Sequence, residues 1–142
     1  MICQVNRLDA QTGLQPGPKQ LTGRENHNIS LQDAATLTRN FRNSTGNNEN
    51  TILGEYFGKD ALASALSQEN CIGLRIYYGM RDDGTPVLVL IGVDPSGNDM
   101  TAGLVLENGF PCPPVCDTVH SPIHWPIANS ALSELNSSAQ LK

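Results

Sequence analysis

The sequence has no apolar run long enough to cross a bilayer. Its longest, "VLVLIGV" at Val87 to Val93, falls far short of the roughly 18 residues that a spanning helix needs. The stretch "MICQVNRLDAQTGLQPGPKQ" lacks a basic segment followed by an apolar one, so it is read as carrying no secretory signal and the chain as cytoplasmic. A basic excess is missing too. Nine Lys and Arg stand against fourteen Asp and Glu, a formal charge of −5, which opposes adhesion to phosphate backbones or anionic lipid. Neither nucleic acid nor a membrane span is expected. No phosphate-cradling loop, dinucleotide glycine fingerprint or nucleophile elbow occurs, which weighs against an enzyme. Cysteine is sparse, four in 142 residues, unlike the dense framework of a small secreted scaffold. The thiols are expected to be reduced.

What is present fits one α+β core, and 142 residues suffice to bury it without disulfide or metal. Residues 1–28 hold Gly13, Pro16, Gly17, Pro18 and Gly23, which interrupt any regular pattern and predict an extended or partly mobile arm. The core domain is placed at 29–110 and a Pro/Cys-rich tail at 111–142, with a short C-terminal helix built on Ile127, Ala131, Leu132 and Leu135. In "ISLQDAATLTRNFR" Ser30 is positioned to cap a helix over 31–43 through the Asp33 N–H, and Ile29 to staple onto its first turn. Leu31, Ala34, Ala35, Thr38 and Phe41, with Leu37 at the edge, form its expected buried stripe. A polar loop follows, then the turn-rich "TILGEYF" and a second helix in "KDALASALSQEN", with Asp60 as its cap.

The period then changes. "CIGLRIYYGM" alternates, with Ile72, Leu74, Ile76 and Tyr78 expected toward the core. "PVLVLIGVD" is apolar on both sides and reads as a more central strand. Asp83-Gly84 joins the two as a hairpin. "DPSGNDM" turns the chain into a third strand in "TAGLVLENG". Asp94 and Asp99 are expected to accept bonds from the turn's own N–H groups; the glycine and distal glutamate of a calcium loop are missing. The result is N-terminal helices packed on an antiparallel meander sheet of at least three strands, followed by an irregular Pro-rich tail.

The segments "ISLQDAATLTRNFR", "YFGKDALASALSQENCIGLRIYYGM", "LVLIGVDPSGND" and "CPPVC" together resemble a family of small uncharacterised proteins found mainly in Bacteroidetes bacteria. The resemblance runs from about Ile29 to Cys116 and implies a bacterial, single-domain protein. It implies no activity, substrate or cofactor.

Two groups of residues carry candidate chemistry. In "PCPPVCDTVHSPIHW" Cys112, Cys116, His120 and His124 recur every four residues, and thiolate with imidazole is a zinc ligand set. The same cysteines are readable as a redox pair, although no helix start lowers a thiol pKa there, or as a structural disulfide. The bland reading is a stiff corner leading the tail off the last strand. In "RIYYGMRDDG", Arg75, Tyr77, Tyr78 and Arg81 suit a carboxylate, phosphate or protein partner, against the alternative that they cover the solvated side of a sheet. His27, Glu25, Glu55, Tyr56, Lys59 and Asp60 include acid-base types without a catalytic signature. The sequence is therefore read as a non-enzymatic binding or interaction domain, with a homodimer as its simplest form. The alternatives are a protein stabilised by zinc, otherwise without cofactor, and a small-molecule enzyme.

Overall fold

A computed structural model describes residues 20–46, 48, 50–119 and 121–124. The expected C-terminal helix, most of the arm and His120 lie outside the described residues.

Helix α1 spans Leu31–Ser44. Ser30 Oγ accepts the Asp33 N–H at 3.0 Å and donates to the Asp33 carboxylate at 2.7 Å, so cap and first-turn charge sit where the sequence puts them. The buried stripe is different. Ala35 and Arg42 are the buried residues of α1, whereas Leu31, Leu37 and Phe41 are 49, 60 and 49% exposed. Leu37 and Phe41 border a groove instead of filling a core.

"TILGEYF" is not merely turn-rich. Gly54–Tyr56 forms strand β1, paired antiparallel with β5 (Phe110–Cys112) in the register Gly54↔Cys112, Glu55↔Pro111, Tyr56↔Phe110. The start of the Pro-rich segment is thus a strand, not irregular chain. A two-stranded ribbon tolerates Pro111, because a proline needs only an outward-facing position where no donor is missed. Gly109 approaches the Phe57 ring so closely that a Cβ there would lie 2.8 Å from it.

Helix α2 covers Lys59–Leu66. Gly58 is its N-cap residue, and Asp60 lies within the first turn. The Asp60 cap is corrected accordingly: the backbone enters the helix before that residue, leaving the carboxylate to complement the helix's positive end.

Strands β2 (Gly73–Met80) and β3 (Pro86–Val93) pair antiparallel from Gly73↔Val93 to Met80↔Pro86. The Asp83-Gly84 turn closes them, with Gly84 at φ +86° and the Arg81 N–H donating to the Thr85 carbonyl at 2.9 Å. Strand β4 is short, Val105–Leu106, and completes the order β2-β3-β4 by pairing with Leu90 and Ile91. The architecture is α+β with a three-stranded meander. Val87, Leu90, Ile91 and Val93 are buried, as a central strand requires.

The alternation of β2 does not translate into burial. Ile76 and Tyr78, expected toward the core, are 55 and 95% exposed. The eight-residue α2 is too short to cover the sheet. Its end meets the strands near Gly92, where the space of a missing side chain is bordered by Gln68, Cys71 and Met100. The other end of the hairpin extends beyond this cover.

Candidate functional site

Strand β2 contributes the first feature. Since Arg81 N–H bonds to Thr85, the register makes the odd-numbered residues of β2 its hydrogen-bonded partners toward β3. The N–H and C=O groups of Leu74, Ile76, Tyr78 and Met80 therefore point outward. Among the described residues, no backbone hydrogen bond engages them.

Arg75, Tyr77, Tyr78 and Arg81 do not converge on one point. Arg75 Nη1 pairs with the Asp99 carboxylate, Arg75 Nη2 donates to the Gly97 carbonyl at 3.1 Å, and Tyr77 Oη donates to Asp99 at 2.6 Å. The Arg75 pKa is raised, first by the Tyr77 hydroxyl and then, against its partial desolvation, by Asp99. Arg81 forms a separate bridge of 2.6 Å to Glu107. Tyr78, on the opposite side of the pleat from Tyr77, stands at the rim of the groove.

Asp94 fulfils its expected role, with Oδ1 accepting the Ser96 and Asn98 N–H groups at 2.9 Å each. Those bonds, the Asn98 amide first, hold its pKa below the ordinary value. Asp99 does not share that role. It reaches across to Arg75 and Tyr77, because the isolated bridge Val93↔Asp99 places it beside the sheet.

The second feature is a groove of about 1020 Å³ bordered by α1, β1, the hairpin end of β2 and β3, and the segment after β5. Leu37, Phe41, Leu53, Val87, Val115 and Ile123 provide much of its apolar wall. Arg42 enters this wall from the last turn of α1, 9% exposed, and its Nη1 donates to the Ile123 carbonyl at 2.6 Å. Glu55 lines the groove as well, but its Oε2 accepts the Leu88 N–H at 2.8 Å. That bond ties the two-stranded sheet to the meander. Asp117 Oδ1 accepts the Val119 and Ser121 N–H groups at 2.9 and 3.0 Å.

Cys112 and Cys116, also in this wall, form a disulfide with a Cα–Cα distance of 4.8 Å. The expectation of reduced cysteines is corrected here. The Pro-Pro corner, closed by the Val115 N–H on the Pro111 carbonyl at 2.9 Å, brings the two Cα atoms within disulfide range. Cys71 is a free thiol. A ligand atom of His124 lies close to both sulfurs, all three within 4.8 Å of one another. Of the four residues grouped by sequence spacing, Cys112, Cys116 and His124 lie together and His120 is outside the described residues; the groove itself is not announced by the sequence. Its lining comes from segments far apart in the chain, with no local signal beyond apolar residues.

Among the described residues, no helix is long and apolar enough to cross a membrane. No protein-family model, curated protein or solved structure matches the chain.

Proposed function

We propose that the protein is a non-enzymatic binding domain that self-associates through the outer edge of β2. The observation that supports this is the row of outward backbone groups at Leu74, Ile76, Tyr78 and Met80. Edges that stay solitary are commonly blunted by lysine, proline or an inward charge. "GLRIYYGM" contains neither lysine nor proline, and its one charged side chain, Arg75, is taken up by Asp99. A second copy laid antiparallel about a two-fold axis at Tyr77 sets Leu74 opposite Met80 and Ile76 opposite Tyr78. The outward groups then meet as hydrogen-bonded pairs. Arg75 falls opposite Gly79, so like charges do not face each other. Ile76, Tyr78 and Met80, at 55, 95 and 72% exposed, gain apolar neighbours across the axis. Light scattering from micromolar to millimolar concentration tests this reading; a monomer throughout would overturn it. A bacterial origin, drawn from the resemblance, and a cytoplasmic location belong to the same proposal.

A second reading is favoured by the proximity of Cys112, Cys116 and His124. A dithiol that reduces the disulfide gives up two electrons and two protons and closes to its own disulfide; zinc then displaces the two thiol protons to solvent. Two thiolates and one imidazole supply three zinc ligands, and His120, outside the described residues, is the fourth in this reading. Elemental analysis of reduced protein purified without chelator decides it. Stoichiometric zinc that disappears in Cys112→Ser/Cys116→Ser supports the site, and folded metal-free protein removes it.

A further inference from the structure

We propose that the groove binds a free long-chain carboxylate, with the alkyl chain along the apolar wall and the head group on Arg42. The volume of about 1020 Å³ lies at the upper end of small-molecule sites, which are largely apolar with a few fixed polar groups. This wall fits that description. A peptide suits it less, since each residue brings an N–H and a C=O that the apolar lining leaves unsatisfied.

Arg42 selects the head group. Its guanidinium carries five N–H donors, of which Nη1 is engaged by the Ile123 carbonyl. Among the described residues it makes no ion pair. A charge that is nine-tenths buried and has, among the described residues, one neutral acceptor is under-compensated. The negative end of α1 offsets part of that cost, and a carboxylate, with two oxygens matched to the guanidinium fork, completes it. The acids in the same wall do not: Glu55 is held by Leu88 N–H and Asp117 by the Val119 and Ser121 N–H groups. His124 also lines this wall. A formal charge of −5 on the whole chain repels anions in general, so selectivity for one must arise locally, and one arginine balances one unit of charge. A carboxylate fits that balance better than a doubly charged phosphate.

Dodecanoate, titrated below its micelle threshold into isotope-labelled oxidised protein, tests the proposal, with 1-dodecanol and dodecyltrimethylammonium as chain-matched controls. The expected result is saturable amide shifts at Thr38, Leu53 and Val115, with dodecanoate binding at least about tenfold tighter than the alcohol, the scale of a charge-assisted hydrogen bond. Arg42→Gln is expected to erase that preference while the alcohol still binds. Because this variant also alters the contact with Ile123, the wild-type comparison of acid with alcohol stands as an independent measurement. Equal affinity for acid and alcohol, shifts confined to other surfaces, or no saturable binding would each overturn the proposal.

Discussion

The Glu55 carboxylate accepts the Leu88 amide at 2.8 Å, joining residues 33 apart in the chain. Leu88 N–H faces away from β2, beyond the reach of the two-residue β4, which pairs with Leu90 and Ile91. A side chain from the smaller sheet therefore completes the edge of the larger one. Glu55→Ala leaves a partly buried donor without its acceptor and is expected to cost about 1–3 kcal/mol. Glu55→Gln keeps an acceptor and should lose less. Urea unfolding of both variants measures the difference, and an alanine variant as stable as the wild type would refute this role.

Proline at Ile76 separates fold from association. The Ile76 N–H is not part of the β2–β3 ladder, so Ile76→Pro removes no bond within the monomer and sits where strands accept proline. It should abolish the dimer while far-ultraviolet circular dichroism is retained. Tyr77→Pro, which deletes a ladder bond, should unfold the hairpin. A dimer that survives Ile76→Pro would place association elsewhere.

The Arg75, Tyr77 and Asp99 cluster is half-exposed, with side chains of Arg75 and Asp99 at 35 and 25%. Solvent screening therefore limits its contribution. A double-mutant cycle of Arg75→Ala and Asp99→Ala should give a small favourable coupling that falls as salt is added. Coupling that is zero at low salt would show the pair to be incidental to stability.

Glu25 gives a pH dependence with a definite sign. The Thr22 N–H and then the Thr22 hydroxyl, at 2.6 and 2.8 Å from Oε1, lower its pKa from an ordinary 4.5 to about 2. A depressed carboxyl stabilises the folded chain fully above the unfolded value, and the contribution fades as pH falls through the window from 4.5 to about 2. Carbon-detected nuclear magnetic resonance should place the Glu25 midpoint near the lower limit. A midpoint at the ordinary value would mean that the turn with Thr22 does not persist in solution.

Reduction of Cys112–Cys116 should be tolerated. The bridge closes a loop with a sequence separation of 4, so in the chain-entropy picture it contributes only about 2 kcal/mol. Unfolding curves with and without dithiothreitol should differ by no more than that. Collapse of the fold on reduction would mean that the bridge organises much more than its own corner.

Local chemistry made part of the molecule legible. Ser30 and Asp33 announce the start of α1, Asp83-Gly84 the hairpin and Asp94 its turn. Each is a contact between residues a few positions apart. β1 and β5 were not legible, because three-residue strands carry too little pattern and their pairing joins distant segments. Phe41 and Leu37 read as core because periodicity reports which side chains share a face and not what lies opposite it. The cysteine spacing reads as a rigid corner with reduced thiols, zinc and a disulfide being its alternatives, and the turn through Pro113 and Pro114 is what brings Cys112 and Cys116 together.

The bond from Arg42 to the Ile123 carbonyl also orders events in time. Its partners are 81 residues apart, whereas the β2–β3 hairpin closes across a few residues. Loop closure becomes costlier with length, and local pairings run ahead of distant ones during folding. On a chain emerging from the ribosome, α1 is made first and anchored last: the guanidinium has no carbonyl to meet until residue 123 has been synthesised. Pulse-labelled hydrogen exchange during refolding should protect the hairpin amides before those of α1, and the reverse order would contradict this sequence.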